Sequence, residues 1–389
     1  MYPDERYHIW GKDQIDQGAI DQMDNAMRLP VSVAGALMPD AHVGYGLPIG
    51  GVLATEGVVI PYAVGVDIAC RMRLTIFPVK PHILGQKPDQ FKKALQEKTL
   101  FGAGKDYKDK DRQYHPVLDD KGWNATWLLR SLKEKARAQL GTSGSGNHFV
   151  EWGAFELHKG EELDDLKPGE YLALLSHSGS RGIGYTVANH YSQAAKDSHP
   201  ELDSTLHHLA WLSLDNEWGQ EYWTGMEMAG KFAAACHEVI HERLAKATGL
   251  KPAYTVENHH NFAWQEEIDG KPFVVHRKGA TPAGAGVMGI IPGSMGDAGY
   301  LVRGKGNVQA LNSASHGAGR LMGRKQALSS ITKTMRDSYL KERHVTLMGG
   351  DLDESPQAYK PIEQVIAAQL DLVDLVGKFT PRIVKMAGR

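Results

Sequence analysis

The chain has 389 residues, 42% hydrophobic and 23% charged, with a formal net charge of −2. That length builds one large domain or a few small ones. The near-neutral charge excludes a globally basic nucleic-acid-binding field, and no stretch approaches the roughly 18 apolar residues of a membrane span. Two cysteines far apart, and an N-terminus without the basic and apolar regions of a signal peptide, make a reducing, cytoplasmic setting the expectation.

In chain order, Ile15, Ile20, Met23 and Met27 recur at helical intervals, so residues 14–27 read as a surface helix ending before Pro30. Met38-Pro-Asp-Ala-His-Val-Gly-Tyr-Gly reads as a loop carrying Asp40 and His42. Residues 47–77, rich in Val, Ile and Gly, predict short strands and turns around Asp67 and Cys70. Lys105, Lys108, Lys110 and Arg112 stand among aspartates, which predicts an exposed, mobile loop, or a phosphate-contacting flap. Residues 126–140 predict a helix stopped at Gly141, followed by a glycine and serine loop and a short strand with Asn147, His148 and Glu151. Residues 171–175 read as a buried strand that delivers His177, with Arg181 close behind.

Residues 217–248 are the most strongly helical: Tyr222, Met226, Ala229, Ala233, Cys236, Ile240 and Leu244 form one apolar stripe and Gly249 fits a C-terminal cap. Cys236 is expected to be core packing. A strand at 273–275 feeds His276, and the glycine-rich stretch beyond it reads as loops. A helix from Pro361, with Ile362, Val365, Ile366, Leu370 and Val373 inward, precedes a short last strand at 382–386. Short strands, glycine loops and a few long helices indicate a mixed α+β single domain.

Several familiar patterns fail on context. His237-Glu-Val-Ile-His241 matches the zinc-protease motif, but a helical wheel at about 100° per residue sets both rings beside the apolar stripe, flanking the buried face and meeting solvent. Gly284-Ala-Gly-Val-Met-Gly289 has the spacing of a dinucleotide loop, yet Pro292 follows at once. The segment from Gly299 to Gly306 resembles a P-loop with glycine where Ser or Thr is required, and a Lys-x-Asp-Gly ligase element is absent.

The constellation left is Asp67, Cys70, His148, His177 and His260. A carboxylate and a thiolate three residues apart can face one metal ion, and a thiolate can bridge two. Each histidine lies in a Gly, Ser or Asn-rich loop beside an apolar strand. His316 stands between Ser315 and Gly317-Ala-Gly, where missing side chains let a bulky group approach the ring, as a nucleophilic or acid–base histidine needs.

Met38-Pro-Asp-Ala-His, Val64-Gly-Val-Asp-Ile-Ala-Cys, Gly146-Asn-His-Phe-Val-Glu, His177-Ser-Gly-Ser-Arg-Gly, His260-Asn, His276-Arg-Lys-Gly-Ala, Pro292-Gly-Ser-Met-Gly, His316-Gly-Ala-Gly-Arg and Lys385 follow one another in a known order. From residue 30 onward the chain resembles the RtcB family of GTP- and manganese-dependent RNA ligases. That resemblance implies one α+β domain over residues 1–389 with a deep metal-containing cleft. Asp67, Cys70, His148, His177 and His260 would hold two Mn²⁺ ions, the Cys70 thiolate shared between them, although such soft donors also suit Zn²⁺. His316 would attack the α-phosphate of GTP and carry covalent GMP.

By the same resemblance Asn147, His148, Phe149, Val150, Glu151, His260, Asn261, Pro292, Gly293, Ser294, Met295, Gly317, Ala318, Gly319 and Lys385 would join His316 around the guanylate, with Glu151 reading the guanine edge. The implied substrates are RNA ends: a 2′,3′-cyclic phosphate opened to a 3′-phosphate, activated by GMP, then sealed by a 5′-hydroxyl in RNA repair or tRNA splicing. Arg181, Arg277, Lys278 and Arg320 are candidates for RNA phosphates. A monomer with no membrane association is expected. The rival readings are a metal-dependent 2′,3′-cyclic phosphodiesterase that needs the metals but not His316, and a non-catalytic RNA-binding module.

Two departures from the family stand out: Ala69 and Arg71 replace glycines, which predicts extra charge and bulk beside the metals, and Gly299 replaces a serine that contacts the nucleotide. The second removes one hydrogen bond, about 0.5–1.5 kcal/mol.

Overall fold

Side chains alternate along a strand, and that alternation organises the molecule. In the strand Arg71–Phe77, Met72, Leu74 and Ile76 enter an apolar cluster, while Thr75 turns the other way to His241 on a covering helix. In the computed structural model, which describes residues 6–268 and 270–388, this strand belongs to an eight-stranded sheet. The order is Tyr254–His259, Arg71–Phe77, Gly169–Ser178, Phe149–Leu157, Val373–Met386, Gly299–Gly304 and Met288–Ile291, with Thr346–Met348 parallel to Val373–Met386. Asn258 stitches the two outermost strands together: its side chain accepts from the Ile290 amide at 2.9 Å and donates to the Ile290 carbonyl at 3.3 Å. The sheet thus curls around Leu74, Phe155, Leu175, Ile290, Leu301 and Phe379.

Helices cover its outer face. Glu217–Thr248 begins at Asn216, whose side chain accepts from the Gly219 amide at 2.9 Å, and stops at Gly249, φ 72°. Arg181–Asp197 and Trp127–Gln139 pack beside it through Val187, Tyr191, Leu129 and Leu132. Pro88–Lys98 sets Phe91 edge-on against Trp152.

A second sheet has the order Tyr7–Ile9, Ser32–His42, Ile49–Thr55, Lys271–Lys278, Asn261–Ile268. One face packs on the helix Gln17–Met27 through Ile20, Met23, Leu37 and Leu53. The other meets the first sheet through Val52, Ala54, Val275, Tyr300 and Val302. His260 occupies the single residue between Tyr254–His259 of one sheet and Asn261–Ile268 of the other, so the chain passes between sheets at a candidate ligand. The whole is one mixed α+β domain, as expected.

Several local expectations are corrected. The segment around Asp40 is not loop, because Ser32–His42 pairs with Ile49–Thr55 and the loop begins only at Val43. The stretch read as loops after His276 holds the strands Ala280–Pro282, Met288–Ile291, Gly299–Gly304 and Ser313–Ser315, too short to show a period. The helix after Pro361 is only Ile362–Ala367; Leu370 is half-exposed, and Val373 opens the strand Val373–Met386. The 105–112 segment is exposed, as expected, except at Tyr107, which is buried and accepts from Arg243 at 2.6 Å; with the Arg112–Glu134 pair this tethers it.

Candidate active site

The turn before Arg71–Phe77 aims Asp67 and Cys70 inward. The Cys70 amide donates to the Asp67 carbonyl at 3.1 Å, and the Ala69 amide to the Asn261 carbonyl at 2.7 Å. Ala69 adopts φ 56°, a left-handed conformation that a residue with a Cβ holds at a cost of roughly 1–2 kcal/mol and glycine holds freely. The expected charge beside the metals does not materialise. The Arg71 guanidinium turns away from the cluster to Glu257, 2.9 Å, and the Gly230 carbonyl, 3.0 Å.

Cys70 Sγ lies 3.1 Å from His177 Nε2 and 3.5 Å from His148 Nε2. His177 and His260 bring their Nε2 atoms to 3.3 Å, and His148 Nε2 is 3.0 Å from Asp67 Oδ2. Two triads result, Cys70–His177–His260 and Asp67–Cys70–His148, each with its donor atoms within 4.8 Å of one another and with the Cys70 sulfur common to both. Backbone carbonyls orient the rings: His148 Nδ1 donates to Ser143 at 2.7 Å and His177 Nδ1 to Asn147 at 3.1 Å. Each Nε2 lone pair is thereby turned to the cluster, the usual support for a metal-ligating imidazole.

Electrostatics leave the His177 and His260 imidazoles ready to ligate and keep the thiol protonated until a cation binds. Burial, with His148 nearby, pushes His177 down to about 3, and burial drives His260 well below the ordinary histidine value, so both rings are neutral. Burial and the neighbouring Asp67 push the Cys70 thiol well up. A cation that takes the thiolate would release that proton. One sulfur, three imidazoles and one carboxylate are donors of the kind that hold divalent transition metals.

His316, just after Ser313–Ser315, brings its ring centroid to 4.8 Å from that of His260. Its Nδ1 is 2.6 Å from Oδ2 of Asp40, which also accepts from the His316 and Gly317 amides at 3.1 and 3.3 Å. Burial alone would raise the Asp40 carboxyl, but His316, Lys360 and His42 together hold it below the ordinary value. Lys360 is anchored at its side by the Pro39 and Ala41 carbonyls at 2.9 and 2.8 Å. An ionised carboxylate only accepts, so it takes the Nδ1 proton, and in the neutral imidazole the lone pair is then on Nε2. Gly279, at φ 62°, completes the fit: a Cβ there would stand 3.1 Å from His316 Cε1. The sequence reading assigned Asp40 no role. Its signals were an acid inside an apolar run and its place in the segment Met38-Pro-Asp-Ala-His.

A cleft of about 650 Å³ unites Asp67, Cys70, Asn147, Phe149, His177, His260, Asn261, Pro292, Gly293, Ser294, Met295 and His316 through Gly319. His148 closes the cluster from behind, buried. Asn261 braces the turn, donating to the Asp67 carbonyl at 3.1 Å and accepting from the Gly279 amide at 2.8 Å. Glu151 lies one strand repeat below Phe149 on the same face; its Oε2 has no hydrogen-bond partner among the described residues, and burial pushes its carboxyl well up.

Other candidates point elsewhere. Val150 packs on the helical side of the sheet. Lys385 does too: its ammonium donates to the Leu95, Gln96 and Thr99 carbonyls at 3.0, 3.3 and 3.5 Å, capping Pro88–Lys98 instead of reaching the cleft. Arg277 is buried in an ion pair with Glu266 at 2.5 Å and lies over the Trp264 ring, so it is structural and not an RNA contact. Arg320 lines the cleft but is tied to Glu354 at 3.1 Å, and Arg181 donates to Thr142 Oγ1 at 3.1 Å. Lys278 lines the cleft, pushed down to about 7 by burial. Gly299 lies behind the 292–295 loop, where a Cβ would meet Pro292 Cα at 3.3 Å. His237 and His241, expected to meet solvent, are buried beneath the sheet. Their helix is covered over far more than one stripe.

Comparison with known proteins accords with this geometry. The family model described as tRNA-splicing ligase RtcB matches residues 22–127 and 121–387. The RNA-splicing ligase RtcB of Escherichia coli K12 is 32% identical over 397 residues, covering 95% of this chain and 94% of that protein. The tRNA-splicing ligases RtcB of Thermococcus kodakarensis and Methanococcus maripaludis are 29% and 30% identical, covering 97% and 91% of this chain and 95% and 88% of their own. The chain belongs to the RtcB family.

Proposed function

We propose that this protein is an RNA ligase that uses GTP and two divalent cations, Mn²⁺ by resemblance, to join a 3′-phosphate or 2′,3′-cyclic phosphate end to a 5′-hydroxyl end. The observation that carries the reading is the Asp40–His316 pair, 2.6 Å apart, set against a thiol–imidazole cluster in one cleft. Asp40 keeps the proton on Nδ1, so Nε2 of His316 can attack the α-phosphate of GTP; an N–P bond forms, a P–O bond breaks and pyrophosphate leaves. Cys70, shared by both triads, with Asp67, His148, His177 and His260, would hold the cations. When bound, these supply positive charge to phosphoryl oxygens as charge develops there.

The 292–295 and 316–319 backbones would receive the nucleotide. Glu151, whose buried Oε2 has no partner among the described residues, would face the guanine edge and, once ionised, accept its paired N–H donors. His316 then passes guanylate to the RNA 3′-phosphate, and the 5′-hydroxyl displaces GMP. We also place the protein in the cytoplasm as a monomer, acting in RNA repair or tRNA splicing.

The test is incubation with α-labelled GTP and Mn²⁺. Covalent label on His316, absent from His316→Ala, is the expected result. Product formation that survives in His316→Ala would exclude guanylylated-histidine chemistry, and opening of cyclic phosphates without sealing would leave only a phosphodiesterase.

A further inference from the structure

We propose that the aromatic rim of the cleft, formed by Tyr45 and Tyr62 and braced by His208, is a stacking platform for the unpaired bases of the RNA end that enters it. This rests on the ligase reading and specifies how that site grips its substrate. Tyr45 is 70% exposed, unusual for so large a ring, and both it and Tyr62 border the same cleft as His316. The exposure is not that of a loose loop. The Gly44 carbonyl accepts from Gln22 Nε2 at 2.6 Å, the Gly44 amide donates to Gln22 Oε1 at 2.9 Å, and Lys278 donates to the Tyr45 carbonyl. The backbone is therefore pinned from a helix on one side and from the cleft on the other, while the ring projects outward.

The rings are ordered among themselves. His208 stands edge-on to Tyr45, centroids 5.7 Å apart at 65°, and edge-on to Tyr62 at 4.7 Å and 64°. An edge-on partner braces a tyrosine without covering both of its faces. A cation flanks the group: Lys196 Nζ lies 5.0 Å from the Tyr62 ring centre, and the Lys278 amine donates to the Tyr45 carbonyl. Preset aromatic faces beside positive charge are the chemistry that binds single-stranded nucleic acid, through bases on rings and phosphates on cations. Continuity points to the occupant: Tyr45 and Tyr62 line the same cleft as His316, so a strand whose last nucleotide reaches His316 has these rings beside it. Stacking of this kind tolerates any base.

The experiment measures RNA separately from GTP. Tyr45→Ala, Tyr62→Ala and Tyr45→Phe are assayed for ligation against RNA concentration, for binding of a fluorescent single-stranded oligoribonucleotide, and for GTP labelling of His316. The expected result is a rise of about tenfold in the RNA KM and in the oligonucleotide Kd for each alanine variant, with Tyr45→Phe within about twofold of wild type. Labelling of His316 keeps its wild-type GTP dependence. Unchanged RNA affinity in both alanine variants overturns the proposal. So does a raised GTP requirement for labelling, which would mean that the rings hold the nucleotide base. If wild type takes no label at all, the ligase reading fails, and the oligonucleotide Kd still decides the platform.

Discussion

Two histidine clusters share the strand Gly169–Ser178, one on each face. On the cleft face, His177 meets Cys70 and His260. On the other, Ser176 Oγ lies 2.6 Å from His237 Nδ1 and 2.7 Å from His241 Nε2, His237 Nε2 is 3.2 Å from the Ser178 carbonyl, and His241 Nδ1 is 2.8 Å from Thr75 Oγ1. Both groups are buried and rich in imidazole, and burial holds His177 and His260 on one face and His237 and His241 on the other neutral. The difference is saturation. Every ring nitrogen of His237 and His241 already has a protein partner, with no thiol or carboxylate among them. In the cleft, His148 turns its Nε2 toward the Cys70 sulfur and Asp67, and His177 turns its Nε2 toward the same sulfur and His260. Buried histidines become ligands when their lone pairs converge on one another; when serine and threonine satisfy them they are cross-links between helix and sheet.

The largest effect that would break this contrast is at the nucleophile. His316→Ala should lower GTP labelling and ligation by on the order of 10⁴-fold or more, read by single-turnover kinetics, while metal content is retained. Next, Cys70→Ala should empty both triads together, since one sulfur serves both; elemental analysis after metal loading should find far less than half the wild-type content. Loss of only one equivalent would mean that the thiolate is not shared. Asp40→Asn, which can donate to Nδ1 and shift the ring proton to Nε2, should slow labelling by roughly 10²–10³-fold without altering bound metal.

On the opposite face, His241→Phe should leave metal content and the rate per folded molecule near wild type. Its cost is stability, about 1–3 kcal/mol in denaturant unfolding, because Ser176 and Thr75 lose a partner. Metal loss in that variant would erase the distinction between the two faces.

The smallest effect is at Glu151. Its carboxyl is raised in the fold from an ordinary 4.5, so above that pH the folded state keeps a proton that the unfolded chain releases, and stability falls as pH rises. Glu151→Gln removes that slope. Its Tm without nucleotide should match wild type in acid and exceed it at neutral pH by about 1 °C or more, while its preference for GTP over other nucleotides weakens.

Much of this was legible in the chain. Glu217–Thr248 announced itself through its apolar period and its caps, and the candidate cluster Asp67, Cys70, His148, His177 and His260 through side chains of metal-binding type beside apolar runs. Short strands between residues 280 and 315 carry too few residues for a period to register. Polar residues were misread where one helix or strand has two occupied faces. His237 and His241 looked solvated because a single stripe was assumed, and Lys385 looked like a nucleotide contact although its strand position points it at the end of Pro88–Lys98.

Residue chemistry and local spacing by themselves determined which groups could ligate metal and which histidine could act as nucleophile, because those properties belong to single side chains and their neighbours. Which arginine faces the cleft, which acid orients His316 and which histidines are already satisfied were decided only by tertiary structure. Asp40 and His316 are 276 residues apart, and hydrogen-bond partners at that separation exist only after two sheets have packed.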